Sequence, residues 1–428
     1  MPEKTQKEPS IRYRIQGGVP LRGNVTIGGS KNAALPLLAA SILIEGESIF
    51  HNVPRLRDIE TMLEILSFLG AKIMRKEMTV SIDATDIKNK PIPHELVAKL
   101  RGSIVVLGPL LARFGRVEMA YPGGCVIGKR PVMAHTIAFE QLGIWNMSND
   151  ETLILEGTPK PGDVILPEFS VTATENILLA AARTEGTTTI HMSALEPHVK
   201  DVEKFIVEAG AQVRTVGPHV LEVIGKKNLV PVTHTVVSDY LEAGAFITAG
   251  LATKGHILIH GIQKHDLTAF LGAVKRAGGQ FRWHEDGALE IDGRNSKMNA
   301  TRIQTNIFPG FPTDLQAPFG VLMTQAEGVS RVFEVLFEGR MAYLYELEKM
   351  GAQIEILNSH QALIIGPVQL RGRTVTSNDI RAGAAMVIAG LCASGETVIT
   401  DVHYIERGYE GLEKKLTALG AKIQREEE

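Results

Sequence analysis

The clearest pattern along the chain is an amphipathic stretch that ends at a glycine. In IETMLEILSFLG, at 59–70, the apolar residues Met62, Leu63, Leu66 and Leu69 recur at helical spacing. Gly70 then suits the C-cap of this helix, because a glycine adopts a positive φ at little cost. The residues that follow, AKIMRKEMTVSI, predict strands.

This pattern recurs six times. The phrase around the glycine reads FLGAKI, QLGIW, EAGAQV, RAGGQF, KMGAQI and ALGAKI, and its glycines are Gly70, Gly143, Gly210, Gly278, Gly351 and Gly420. Successive glycines are 67 to 73 residues apart. Upstream of each lies a glycine followed by a β-branched strand: EGESIFHN, FGRVEMAY, EGTTTIHM, KGHILIHG, EGVSRVFE and SGETVITD. Such regularity predicts six copies of one unit: strand, loop, helix, glycine turn and further strands.

A second helical stretch precedes the first strand in most copies, as in AALPLLAASIL, ATENILLAAAR and AGAAMVIAGLCA. These stretches are apolar on nearly every face, so we expect them to be buried. Strands and helices alternate, which predicts an α/β or α+β class, and six units divide into two domains of three. The segment 230–244 separates the third and fourth repeats. A solenoid is the alternative, but it needs distinct capping repeats, and the sequence shows none.

Composition narrows the class of protein. The 428 residues are 44% hydrophobic with a net charge of −3, which gives no reason to expect nucleic acid or a membrane surface as a partner. The polar start is unlike a signal peptide, and the longest apolar run, at 384–393, is too short for a membrane span. Two cysteines exclude a disulfide framework and favour the cytoplasm. Nothing indicates an obligate protein partner.

Standard cofactor motifs are missing. No Walker A loop, Gly-x-Gly-x-x-Gly after a strand, His-Glu-x-x-His or paired Cys-x-x-Cys occurs, so we expect neither a cofactor nor a metal. GGSKNAALPLL, at 28–38, has the wrong spacing for a nucleotide loop but places Lys31 and Asn32 at a helix N-terminus, where anions bind. The alternative is a capped helix with a solvated lysine.

The segment YPGGCVIGKRPVMAH, at 121–135, interrupts the second repeat with glycines and prolines, which predicts an irregular loop. Cys125 is followed there by Lys129 and Arg130, two cations that favour a thiolate. The alternative is a small buried residue, which suits Cys392 in the apolar run AGLCA. For Cys125 the surrounding loop favours a function.

Four further charged residues draw notice. Asp314, in FPGFPTDLQAPF, precedes an apolar helix and is either its N-cap or a general base. Arg381 begins a buried helix, where an arginine is disfavoured unless it binds an anion. Arg101 and Arg340 are single arginines of a kind usually found at the surface. With Lys31 and Arg130, these arginines could line a cationic cleft.

These residues fall in motifs that resemble the enolpyruvyl transferases acting on UDP-N-acetylglucosamine. The motifs are GGSKNAALPLLAA, NVPRLRDIETM, PGGCVIGKRPV, FPTDLQA, FEGR and NDIRAGAA, and the resemblance extends from about Tyr13 to Arg425. It implies two inside-out α/β barrel domains, each of three β-α-β-α-β-β units. The first would hold residues 31–238 and the second residues 1–30 and 239–428, with the active site in the cleft between them.

The resemblance also implies roles. Lys31, Arg130 and Arg381 would hold the phosphate and carboxylate of phosphoenolpyruvate, with Arg101 as a further cation. Cys125 would donate a proton and be alkylated by fosfomycin, and Asp314 would be the base near the sugar 3′-hydroxyl. Further substrate contacts are implied for Asn32, Pro131, Ser170, Val171, Leu336 and Arg340. Phosphoenolpyruvate carries two anionic groups, which suits several convergent cations, and its transfer needs a base and an acid.

Several positions depart from the family pattern: Met133, Glu168, Thr172, Leu195, His198 and Tyr240. Several of these belong to the nucleotide side, where Thr172 replaces a glycine and Glu168 stands where a lysine can occur. We therefore expect weaker binding of UDP-N-acetylglucosamine. A carboxyvinyl transferase with another acceptor, the shikimate-pathway relative, and a non-catalytic nucleotide-sugar sensor are the alternatives.

Overall fold

The structure is a computed structural model that describes residues 11–123 and 132–427. The described chain forms two compact units. The first unit contains residues 28–123 and 132–239, and the second contains residues 11–27 and 240–427.

The first unit alternates helices with short strands. Its α-helices are Lys31–Ala40, Arg57–Leu69, His94–Lys99, Leu107–Phe114, Met133–Gln141, Val171–Ala182 and Pro197–Glu208. Its strands are Glu47–His51, Lys72–Lys76, Thr79–Asp83, Arg116–Ala120, Trp145–Asn146, Thr152–Glu156, Asp163–Ile165, Gly186–His191, Gln212–Gly217, Val220–Gly225 and Thr233–Thr235. Two 3₁₀ turns, Ser41–Leu43 and Arg101–Val106, adjoin the helices.

The second unit repeats this plan. Its α-helices are Tyr240–Ala252, Thr268–Arg276, Gln316–Met323, Tyr343–Lys349, Ile380–Cys392, His403–Glu406 and Leu412–Ala418. Its strands are Ile11–Gln16, Arg22–Thr26, His256–His260, Gln280–Trp283, Leu289–Asp292, Arg302–Gln304, Gly328–Phe333, Gln353–Asn358, Gln361–Gly366, Thr374–Thr376, Glu396–Thr400 and Lys422–Glu427. Three 3₁₀ turns are Lys264–Leu267, Thr313–Leu315 and Arg340–Ala342.

The six predicted repeats are confirmed. Each predicted β-branched segment forms a strand of a separate sheet among the described residues: Glu47–His51, Arg116–Ala120, Gly186–His191, His256–His260, Gly328–Phe333 and Glu396–Thr400. All six repeat glycines have a positive φ, between 80° and 114°. A side chain would be strained there, so glycine ends each outer helix and turns the chain into the next strand.

The helices expected to be buried form the centre of each unit. In the second unit, Tyr240–Ala252, Gln316–Met323 and Ile380–Cys392 pack on one another, and every residue of the first two is buried. In the first unit, Leu107–Phe114 packs on Val171–Ala182. The predicted α/β class with helices inside the sheets is confirmed.

The solenoid alternative is wrong. Strand Thr233–Thr235, which follows the third repeat, pairs in parallel with Glu47–His51 of the first repeat. A solenoid repeat contacts only its neighbours in the chain, whereas this pairing connects the third repeat of the first unit to its first. Among residues 11–123 and 132–427, no helix is long and apolar enough to cross a membrane.

Candidate active site

Lys31 begins the buried helix Lys31–Ala40 of the first unit, as predicted. Ser30 caps this helix, with its hydroxyl accepting from the backbone N–H of Ala33 at 3.3 Å. Lys31 is 8% exposed, and its Nζ lies 3.2 Å from Oδ2 of the buried Asp58. The alternative of a solvated lysine is therefore wrong. Asn32, in the same turn, is half-buried.

The glycines before Lys31 serve a close backbone approach. A Cβ on Gly29 would lie 1.7 Å from the carbonyl oxygen of Asn52, so only glycine fits there. Asn52 itself has a φ of 58° and donates from Nδ2 to the carbonyl oxygen of Val236 at 2.9 Å. The approach brings the start of the helix towards the segment that leads to Asp58. The GGSK motif thus has a packing function that its resemblance to an anion loop did not reveal.

Arg101 lies at the first residue of the 3₁₀ turn Arg101–Val106, just before the buried helix, as predicted. Its Nη1 donates to the carbonyl oxygen of Pro122 at 3.1 Å. Pro122 lies at the start of the predicted loop segment 121–135, so Arg101 holds the described residues that precede Cys125. Cys125, Lys129, Arg130 and Pro131 lie outside the described residues.

Ser170 and Val171 start the helix Val171–Ala182, and both are half-buried. The Ser170 hydroxyl caps the helix by accepting from Ala173 N at 3.4 Å. Thr172, where the resemblance predicts a glycine, is also half-buried, and its Oγ1 lies 3.1 Å from Nε2 of His135. A side chain is therefore accommodated at this position by a polar contact.

The direction of this hydrogen bond follows from fixed donors. The backbone N–H of Gly108 donates to Oδ1 of Asn176 at 2.7 Å, and Nδ2 of Asn176 donates to the carbonyl oxygen of Ile104 at 3.0 Å. The amide nitrogen therefore faces Nδ1 of His135, 3.0 Å away, and Nδ1 must accept. A neutral His135 then carries its proton on Nε2 and donates it to Thr172.

The pKa of His135 agrees with this neutral form. Burial and, to a smaller extent, the positive charge of Arg101 together lower the pKa of His135 to about 3. Sequence patterns did not single out His135, because its partners lie 37 and 41 residues away along the chain. The one sequence feature that could have drawn attention to His135 was its position just after the segment that contains Cys125.

Asp314 lies within the 3₁₀ turn Thr313–Leu315 of the second unit and does not cap the helix that follows. Its Oδ1 accepts from Nη2 of Arg340 at 2.8 Å, and its Oδ2 lies 3.4 Å from Nε of Arg381. The two arginine side chains are 3% and 5% exposed, and that of Asp314 is 25% exposed. The capping alternative is wrong, and neither arginine is a surface residue.

Arg381 enters the first turn of helix Ile380–Cys392, as predicted. Asp379 caps this helix, and its Oδ1 accepts from Arg381 N at 2.8 Å and Ala382 N at 3.0 Å. The guanidinium of Arg381 also lies 5.2 Å from the ring centre of Tyr409. The carboxylates of Asp379 and Asp314 offset the unfavourable position of a cation at a helix N-terminus.

Glu334 is a buried carboxylate that the sequence did not reveal. It follows strand Gly328–Phe333 and is 0% exposed. Its oxygens accept hydrogen bonds from the segments that carry Asp314 and Leu336. Leu336 itself is 37% exposed. Arg340 lies further along the same segment, with its guanidinium 5.3 Å from the ring centre of Phe337.

The remaining departures differ in exposure. Met133 is 57% exposed at the start of its helix, Glu168 is exposed and Leu195 is half-buried. His198 and Tyr240 are 5% and 6% exposed. The departures at His198 and Tyr240 therefore affect packing, whereas those at Met133 and Glu168 affect the surface.

Cys392 is half-buried, slightly more exposed than the expected buried residue. It packs against the core of the second unit, and burial raises its thiol pKa to about 12. Among residues 11–123 and 132–427, no group of three or more His, Cys, Asp or Glu side chains is arranged to hold a metal ion.

Known proteins resemble this chain over almost its whole length. The family model described as EPSP synthase (3-phosphoshikimate 1-carboxyvinyltransferase) matches residues 15–416. A UDP-N-acetylglucosamine 1-carboxyvinyltransferase from Lawsonia intracellularis is 42% identical over 97% of this chain and 99% of its own. One from Sorangium cellulosum is 41% identical over 97% of this chain and 98% of its own.

Solved structures confirm the fold. The enolpyruvyl transferase NikO from Streptomyces tendae has a TM-score of 0.87 at 23% identity and covers 98% of this chain and 100% of its own. An EPSP synthase from Acinetobacter baumannii has a TM-score of 0.75 at 18% identity, over 97% of this chain and 100% of its own. By its family match and its similarity to these relatives, the chain belongs to the enolpyruvyl transferase family, among the UDP-N-acetylglucosamine 1-carboxyvinyltransferases.

Proposed function

We propose that this chain transfers the enolpyruvyl group of phosphoenolpyruvate to the 3′-hydroxyl of UDP-N-acetylglucosamine and releases phosphate. The observation that carries the proposal is Asp314, a partly exposed carboxylate held by two buried arginines. The names of relatives at 41–42% identity support the same reaction. The reaction would place the chain in the cytoplasm, at the first committed step of peptidoglycan synthesis.

Asp314 would act as the base for the sugar hydroxyl. Its carboxylate takes the proton as the hydroxyl oxygen bonds to C2 of phosphoenolpyruvate. Arg340 holds one carboxylate oxygen at 2.8 Å, which fixes the orientation of the group while a quarter of its side-chain surface remains exposed. A base must lie within hydrogen-bond reach of the proton it removes, and this exposure permits that approach.

Cys125 would supply the proton that C3 of phosphoenolpyruvate receives. Addition produces a tetrahedral ketal phosphate. Loss of a C3 proton and cleavage of the C2–O bond to phosphate then restore the double bond and release inorganic phosphate. The proton lost from C3 would return to Cys125, and the proton held by Asp314 would leave with phosphate, so both groups are restored for the next turnover.

The cations would bind the two anionic groups of phosphoenolpyruvate. Lys31 and Arg381 are both more than nine-tenths buried, and charges in such surroundings interact with an anion more strongly than charges in water. Arg130 and Arg101 would add to this set. Asn32, Pro131, Ser170, Val171, Leu336 and Arg340 would contact the nucleotide sugar.

Phosphate release tests the reaction. Purified protein is supplied with phosphoenolpyruvate and, in turn, UDP-N-acetylglucosamine, other UDP-sugars and shikimate 3-phosphate. We expect release with UDP-N-acetylglucosamine and a product heavier by one enolpyruvyl group. Release with another acceptor alone would assign the chain to a different carboxyvinyl transfer, and binding of the nucleotide sugar without release would favour a sensor.

Alkylation by fosfomycin tests the role of Cys125. We expect one adduct by intact-mass measurement, which is lost in Cys125→Ser and retained in the matched control Cys392→Ser. An adduct that persists in Cys125→Ser or maps to Cys392 would contradict the assignment. Cys125→Asp is expected to retain activity, because a carboxylic acid with a raised pKa also donates a proton.

A further inference from the structure

The carboxylate of Glu334 connects two segments of the second unit. Its Oε2 accepts from the hydroxyl of Thr313 at 2.9 Å. Its Oε1 accepts from the backbone N–H groups of Leu336 at 2.9 Å and Phe337 at 3.3 Å, and from the hydroxyl of Thr305 at 3.0 Å. These donors compensate a fully buried carboxylate for the loss of water.

The backbone of Glu334 is held as firmly as its side chain. Its N–H donates to the carbonyl oxygen of His360 at 2.8 Å. Its carbonyl oxygen lies 2.7 Å from Nδ1 of His360, which must therefore carry a proton and donate, because a carbonyl only accepts. Both ends of Glu334 are thus anchored before its carboxylate reaches the two segments.

The contacts close a ring around Asp314. Thr313, bound by Glu334, directly precedes Asp314. Asp314 accepts from Arg340 at 2.8 Å, and the Arg340 guanidinium lies 5.3 Å from the ring centre of Phe337. The backbone N–H of Phe337 in turn donates to Oε1 of Glu334, which completes the ring. A displacement at any member of this ring therefore moves the Asp314 carboxylate.

We propose that Glu334 is a positioning residue that sets the location of Asp314 and Arg340 for the transfer reaction. The proposal rests on the proposed function, in which Asp314 is the base. Glu334 itself is fully buried, so it would act through Thr313 and the 336–337 backbone rather than by contact with substrate. Reaction rates fall steeply when a catalytic group is displaced, by about 100-fold for 1 Å.

Paired substitutions at Glu334 and Thr313 test the ring. Glu334→Ala removes the connection, whereas Glu334→Gln keeps an acceptor for three donors and donates from its amide to Thr313. Thr313→Val removes one hydroxyl at similar volume, and Thr313→Ser restores it. We expect kcat to fall by about 10-fold to 100-fold in Glu334→Ala and Thr313→Val. We expect Glu334→Gln and Thr313→Ser to remain within about fivefold of wild type, with KM for phosphoenolpyruvate nearly constant throughout.

Ile364→Ala is the control for general destabilisation. Ile364 is fully buried in a neighbouring strand of the same sheet, where it pairs with Ser330 and not with a member of the ring. We expect this variant to lower the unfolding midpoint while its kcat stays within about twofold of wild type. A kcat loss in Ile364→Ala equal to that in Thr313→Val would overturn the proposal, as would a Glu334→Gln variant as impaired as Glu334→Ala. Should Glu334→Ala fail to fold, the Thr313 pair decides alone.

Calorimetry separates this proposal from the proposed function. A wild type that binds UDP-N-acetylglucosamine but releases no phosphate refutes the transfer reaction only. The same variants then report the position of Arg340 through the Kd of the nucleotide sugar. We expect Kd to rise at least about fivefold in Thr313→Val and to be restored in Thr313→Ser. If neither Kd nor any measurable kcat changes in Thr313→Val, the role of Glu334 is refuted.

Discussion

Two ionic clusters with buried members, one in each unit, differ in how completely their buried groups are paired. In the first unit, His234 is fully buried between Asp201 at 3.1 Å and Glu208 at 2.7 Å. Asp201 also accepts from Val237 N at 2.9 Å, and Lys204 lies 3.8 Å from Glu208. With His234 protonated, two cations face two carboxylates, and the cluster is balanced within the protein.

The cluster of the second unit differs in its hydrogen bonds. There Asp314 is the carboxylate between Arg340 and Arg381, and Nε of Arg340 is buried without a hydrogen-bond partner among the described residues. Buried donors are rarely left unmatched in folded proteins. The comparison teaches that burial of charge alone does not mark a site: a buried donor left unmatched, beside a partly exposed carboxylate, is what indicates a ligand.

Asp314→Asn should break the comparison most strongly. The amide still accepts from Arg340, so the fold is retained, but it no longer takes a proton. We expect kcat for phosphate release to fall by at least about 100-fold, with little change in the urea midpoint of unfolding. A variant that keeps more than a tenth of wild-type kcat would show that Asp314 is not the base.

His234→Ala should have the opposite signature. It leaves the buried Asp201 and the partly exposed Glu208 without their shared cation and is expected to lower the free energy of unfolding by about 3 kcal/mol. The kcat of the folded protein should remain within about twofold. His94→Ala, at an exposed histidine of the same unit, is the matched control and should change stability by less than about 0.5 kcal/mol. A large kcat loss in His234→Ala would mean that both clusters serve catalysis.

The pH dependence of stability sharpens the same test. Burial by itself lowers the pKa of His234, but the hydrogen bonds and charges of Asp201 and Glu208 outweigh it and raise the pKa. Because the pKa is higher in the folded state, protonated His234 stabilises the protein. This stabilisation is fully present below the unfolded-state pKa and is lost as the pH rises through the folded-state pKa. Urea titrations at increasing pH should show this loss in wild type and not in His234→Ala.

Glu168→Lys should produce the smallest effect. The sequence predicts that Glu168 repels a diphosphate, but its side chain is exposed and screened by water. We expect KM for UDP-N-acetylglucosamine to fall slightly, by a ratio that corresponds to less than about 1 kcal/mol. KM for phosphoenolpyruvate should be unchanged. A larger decrease would show that the diphosphate lies close to this residue. Combining it with Thr172→Gly is expected to lower KM further if the Thr172 side chain obstructs binding.

The repeats were predictable because their signals are local. A helical apolar period, a glycine with positive φ and a β-branched strand each depend on a few neighbouring residues, as at Gly70 and Gly351. Lys31 and Arg381 were placed at helix starts for the same reason.

The polar contacts were not predictable because they join distant segments. Glu334 binds Thr305 and Thr313, which lie 29 and 21 residues earlier. Asp314 has the same sequence context whether it caps a helix or pairs with arginines, and only the arrangement of the 340 and 381 segments decides between the two. A single sequence does not reveal the distances between Asp314 and the two arginines.

The first strand of the second unit has a consequence for synthesis. Ile11–Gln16 lies between Glu396–Thr400 and Lys422–Glu427 in its sheet. A ribosome that adds about 5 to 20 residues per second reaches those partners roughly 20 to 80 s after the first strand has been made. Until then the backbone N–H and C=O groups of that strand lack their sheet partners, whereas the three sheets of the first unit already have all their strands. The order of translation therefore favours completion of the first unit before the second.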